Sequence, residues 1–123
     1  MRYLMLLTNP TESVERWQHL TPEEAKAERE QEIPKWGAFM GWTEEQGLKL
    51  EGLELDSPHT AKTVRGRNGG AVVTDGPFPE TKEIIGGYFI AECDDLDQAI
   101  DVASRIPIAE TGSVEIRPLI EQG

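Results

Sequence analysis

Ile84-Ile85-Gly86-Gly87-Tyr88-Phe89-Ile90-Ala91-Glu92-Cys93, followed by Asp94-Asp95, is the stretch on which the fold turns. A run from Ile84 to Cys93 rich in β-branched and aromatic residues reads as a strand. Gly86-Gly87 interrupts it, which predicts a bulge or the close approach of another backbone. Asp94 or Asp95 then caps a helix. Leu96, Ala99, Ile100, Ala103 and Ile106 form that helix's apolar stripe, and it must stop before Pro107. Val114-Glu115-Ile116-Arg117 alternates apolar and polar side chains and is closed by Pro118, so it supplies a last strand.

Working back towards the start, Lys62 to Arg67 and Ala71 to Thr74 flank Asn68-Gly69-Gly70, residues that tolerate positive φ, and predict a hairpin. Leu48 to Leu55 is a further strand. Thr21-Pro22-Glu23-Glu24 has the spacing of a capping box with proline in the first turn, so a helix opens there and runs to Gly47. Its first half is polar, and Ile33, Trp36 and Met40 define a core face only in the second half. Pro34 lacks an N–H and crowds the preceding turn, which predicts two helical pieces meeting near Ile33. Arg2-Tyr3-Leu4-Met5-Leu6-Leu7, ended by Asn9-Pro10, is a first strand.

The order is therefore strand, helix, strands, helix, strand. With right-handed crossovers this gives an α+β domain with a ferredoxin-like, mostly antiparallel sheet and both helices on one face. The other face is left bare. Leu4, Leu6, Val64 and Ile116, or their alternating neighbours, would make it apolar, and a second copy is the simplest cover, so a homodimer is expected.

The chain's 123 residues suit one domain. Twelve Lys and Arg against 23 Asp and Glu leave a formal charge of −11, which repels phosphate backbones and anionic lipid alike. Neither nucleic acid nor a membrane is an expected partner. The apolar run Tyr3 to Leu7 is far short of the ~20 residues that span a bilayer, and a cytoplasmic location is expected. Cys93 is the single cysteine, which excludes an intrachain disulfide and a thiolate zinc cluster within one chain; its setting is that of a buried strand thiol. Phosphate-loop, dinucleotide, zinc-helix and nucleophile-elbow patterns are absent, so neither a metal nor a cofactor is expected.

The least generic segment is Asp75-Gly76-Pro77-Phe78-Pro79-Glu80-Thr81-Lys82-Glu83. Pro77 and Pro79 fix their own φ and push Gly76 and Phe78 towards extended backbone, which stiffens the loop. Asp75 has two readings: a general acid or base, if a cleft desolvates it, or a turn carboxylate bonded to nearby backbone N–H groups. Arg65, on one strand face with Thr63 and Arg67, could join Lys82 in neutralising a small anionic metabolite, or these cations could be solvated surface charge. Phe78 and Tyr88 could wall such a pocket, or could fill the core.

Asp75-Gly76-Pro77-Phe78, with Glu80-Thr81-Lys82-Glu83 and Gly86-Gly87-Tyr88, resembles the signature of the DGPF-motif group of YCII-related proteins. Gly52-Leu53, Thr63-Val64-Arg65, Asp95-Leu96-Asp97-Gln98-Ala99, Arg105-Ile106-Pro107 and Gly112 to Pro118 resemble it in order and spacing. The resemblance implies a ferredoxin-like protomer paired as a dimeric α+β barrel, with a cleft between two sheets. It also implies a His and Asp acid/base pair, for which this chain offers His19 and Asp75, with His59 in the connection Asp56 to Thr60. Two functions follow as expectations: a cofactor-free enzyme or binding protein for a small anionic metabolite, or a regulatory interaction module linked to an extracytoplasmic-function sigma factor.

Overall fold

The structure, a computed structural model, describes residues 1–76 and 83–121. Six strands and three helices follow one another as β1 (Arg2–Pro10), α1 (Thr11–Gln18), α2 (Pro22–Glu45), β2 (Lys49–Glu54), β3 (Lys62–Arg67), β4 (Gly70–Asp75), β5 (Glu83–Glu92), α3 (Leu96–Ser104) and β6 (Ser113–Pro118). Four strands form one sheet in the order β2-β5-β1-β6, and every neighbouring pair is antiparallel. This is the ferredoxin-like arrangement expected from the sequence. The β3–β4 hairpin is inserted between its second and third strands and pairs only with itself.

Alternation along the strands sorts the sheet into two sides. Tyr3, Met5 and Leu7 of β1 and Ala91 of β5 are buried against the helices, with Phe89, Val114, Ile116 and Leu50 packed around them. From α3 come Ala99, Val102 and Ala103, followed by Ile106, and from α2 comes Phe39. The other side presents Leu4 and Leu6 opposite Ile90 and Tyr88, with Leu53 across from Tyr88 at the edge. No helix covers it. Ile116 pairs with Met5 and so belongs to the helix side, and Val64 lies in the separate hairpin; neither contributes to the bare face as the sequence had suggested.

The Gly86-Gly87 interruption is a bulge. Leu7 pairs with Gly87 but Thr8 pairs with Ile85, leaving Gly86 as the extra residue. The bulge resets the alternation, so Ile85 and Tyr88, three apart in sequence, both face the bare side.

Helix α2 departs from expectation in two ways. It is one continuous helix of 24 residues with Pro34 inside it, because Pro34 is exposed and water can solvate the carbonyl that its missing N–H leaves unbonded. Its buried residues are Phe39 and Thr43, while Ile33 is 64% exposed and Met40 is also exposed. An aromatic cluster decides this rotation: Phe39 meets Trp36, Trp42 and Phe89 at centroid distances of 6.3, 6.5 and 5.9 Å. The start is as expected, with the Thr21 hydroxyl accepting from Glu24 N–H and the Glu24 carboxylate accepting from Thr21 N–H. The Thr21 N–H thereby holds the Glu24 carboxyl below its ordinary range. Helix α1 was not anticipated; its N-cap is Pro10, which offers no side-chain cap to read.

Candidate functional site

The bare face ends in a polar corner. Thr8, in line with Leu4 and Leu6 on β1, lies opposite Ser113 of β6, and their hydroxyl oxygens are within hydrogen-bond reach of each other. Glu83, at the start of β5, places Oε2 3.5 Å from Thr8 Oγ1 and 3.4 Å from Ser113 Oγ. Thr8 also reaches the Ser113 carbonyl at 3.3 Å. The bulge makes this possible, because it brings Glu83 and Ile85 onto the same side as Thr8. Gly112 makes it possible too: a Cβ there would stand 2.1 Å from the Thr8 carbonyl oxygen. Two hydroxyls sharing one carboxylate oxygen offer both donors and acceptors, a set suited to a hydroxyl, amide or ammonium group of a ligand. Sequence reasoning missed Thr8 and Ser113, which are 105 residues apart and meet only through sheet register.

Asp75 closes β4, and its side chain is 86% exposed and ion-paired with Lys62 across the hairpin. Among the described residues nothing removes that carboxylate from water. Gly76 follows with φ +80°, a conformation that favours glycine. Arg65 is half-buried on β3, and Tyr88 is half-buried on the bare face between Leu6 and Leu53. Phe78 and Lys82, with the two prolines of the loop, lie outside the described residues.

His19 is the exposed C-cap of α1, and no side-chain contact joins it to Asp75 among the described residues. His59 is exposed too, in the short turn Pro58–Thr60, with Nε2 4.0 Å from Glu15 Oε1. Gln18 Nε2 donates to Ser57 Oγ at 3.0 Å, so the end of α1 anchors this connection.

On the helix side, a groove of about 400 Å³ runs between α2 and the turn Pro107–Glu110. Its cations are already engaged: Arg105 lies 4.2 Å from the Trp42 ring centroid and pairs with Asp101, and Lys35 pairs with Glu110 at 3.6 Å. Cys93 is buried, and burial pushes its thiol pKa up, which argues against a thiolate nucleophile. Among the described residues there is no cluster of three or more metal-ligating side chains, and no helix is long and apolar enough to cross a membrane.

A four-stranded antiparallel sheet with helices on one side, an inserted hairpin and a polar corner on its bare side defines a ferredoxin-like α+β protein. The chain belongs to the YCII-related family, whose domain model matches residues 1–122. It is also similar to an uncharacterised protein of Rhizobium meliloti (strain 1021), at 46% identity over 61 residues. That match covers 48% of this chain and 49% of the relative, so the alignment spans about half the length of each.

Proposed function

We propose that this chain, a DGPF-motif member of its family, pairs with a second copy and binds a small organic acid bearing a hydroxyl or amino group in the cleft over its bare sheet face. The observation that carries the reading is the join of an uncovered apolar surface, Leu4, Leu6, Leu53, Tyr88 and Ile90, to the Thr8–Ser113–Glu83 corner. Apolar area of that kind favours cover, and a cleft with a few convergent polar groups is the usual form of a metabolite site.

In this reading the ligand's hydroxyl or amine meets Glu83 and the two hydroxyls. Its carboxylate is met by Arg65 and Lys82, while Phe78 and Tyr88 form apolar walls. Asp75, with His19 as its partner, is the group for proton transfer, and it acquires that role only when a covering chain excludes water from it. No metal or organic cofactor is part of this proposal.

The test is a thermal-shift and calorimetric screen of short 2-hydroxy, 2-amino and dicarboxylic acids against the intact protein. A hit should weaken at least tenfold in Glu83→Gln and in Arg65→Ala, about 1.4 kcal/mol of lost binding. Failure of every acid to bind would overturn the reading. A hit for which Asp75→Asn leaves binding intact but abolishes turnover would establish an enzyme.

A further inference from the structure

We propose that the outer edge of β6, with the groove between it and α3, takes up an extended basic peptide segment of another protein as an added strand of the sheet. The inference goes beyond the metabolite reading and stands without it.

Register decides which backbone groups are free. Opposed residues of an antiparallel pair exchange hydrogen bonds at every second position, and the residues between turn their N–H and C=O the other way. Leu119 N–H donates to the Arg2 carbonyl at 3.0 Å, so bonding towards β1 falls on Arg117, Glu115 and Ser113, opposite Leu4, Leu6 and Thr8. Val114 and Ile116 therefore direct their backbone groups away from β1, and β6 is the last strand on that side of the sheet. An open row of this kind is a template for one more strand. The side chains of the same two residues lie on the helix side, Val114 opposite Leu7 and Ile116 opposite Met5.

On that side a groove of about 330 Å³ opens between α3 and β6, lined by Ile100, Ala103, Ala109, Gly112, Val114 and Ile116. Ile100 is 50% exposed, as is Leu96 one turn earlier on α3. Residues directly opposed across two strands share a face, so an incoming strand places every second side chain over this groove. Main-chain bonds to Val114 and Ile116 hold the strand, and apolar side chains two residues apart fill the space beside Ile100.

Charge sets the rest of its composition. Cys93 N–H bonds to the Met1 carbonyl and Leu119 N–H to that of Arg2, so α3 begins at the end of the sheet where β6 finishes. Asp94 and Asp97 stand at that end with no cationic partner among the described residues. The cations that a second copy's β6 and α3 would bring, Arg117 and Arg105, are already paired with Glu115 and Asp101. Lysine or arginine on a foreign strand is the better complement.

The test selects a displayed library of random decapeptides on the intact protein, then titrates the synthesised winners by calorimetry. They should carry apolar residues two apart, with lysine or arginine to one side. N-methylation of the alternate backbone nitrogens that face β6 should weaken binding at least tenfold, and methylation of the intervening ones should not. Val114→Pro removes an outward N–H without touching the ladder to β1, and Ile100→Lys puts a charge in the groove. Each should weaken binding at least tenfold while the circular dichroism spectrum is kept; should the proline variant misfold, Ile100→Lys and the methylation pattern decide. Failure to select any peptide, or winners indifferent to the methylation pattern and to the variants, overturns the proposal. Self-association of the wild type that Val114→Pro weakens at least tenfold also overturns it, and assigns the edge to a second copy.

Discussion

Gly112 sits where β6 begins, and the room beside it is already taken by the Thr8 carbonyl 2.1 Å from where a Cβ would be. That atom is backbone in the middle strand, so it cannot swing aside as a flexible side chain would. Gly112→Ala should destabilise the protein by about 1–3 kcal/mol through overpacking. At roughly 4 °C per kcal/mol, a melting curve would detect the change. The same substitution pushes on Thr8 and so should disturb the polar corner. Gly52 is similarly constrained, its absent Cβ lying 2.1 Å from the Tyr88 carbonyl oxygen. None of this was visible in the sequence, where both glycines read as ordinary turn or strand residues. The cause of their identity is a backbone distant along the chain.

Helix α2 carries two predictions of opposite sign. Pro34 costs one backbone hydrogen bond in an otherwise unbroken helix, so Pro34→Ala should raise stability, by about 1–3 kcal/mol, measured by denaturant unfolding. Thr21→Ala removes the N-cap and should lower it by about 1 kcal/mol. The other half of the capping box gives a pH dependence. The Glu24 carboxyl titrates lower when folded than when unfolded. Its contribution is therefore present above the ordinary glutamate range and is lost as pH falls through the folded value. The stability difference between wild type and Glu24→Gln should accordingly vanish on acidification, and a persistent difference at pH 2 would refute the assignment. The cap was legible because its chemistry lies within four consecutive residues. The helix's rotation was not, since Ile33, Trp36 and Met40 fit helical spacing as well as Trp36, Phe39 and Thr43 do. Packing of Phe39 against Phe89 made the choice.

For the whole molecule, a net charge of −11 on 123 residues means self-repulsion in the folded state. Sodium chloride at about 0.5 M shortens the screening length to a few Å, so the melting temperature should rise by a few degrees over a low-salt buffer. A fall would show that attractive pairs such as Arg16–Glu28 outweigh the repulsion. Helix α1 aside, the element order and the sheet topology were readable because they follow from short periodic segments joined by strong turn signals. The corner at Thr8, Glu83 and Ser113 was not, because it depends on three strands arriving in register.

Gly86 fixes that register. Were this glycine instead taken into the ladder opposite Thr8, β1 and β5 would pair without interruption, and everything before it on β5 would turn half a revolution. Glu83 and Ile85 would then swing to the helical side, parting the carboxylate from its two alcohols. A residue with no side chain thus decides on which side of the molecule an acid can work.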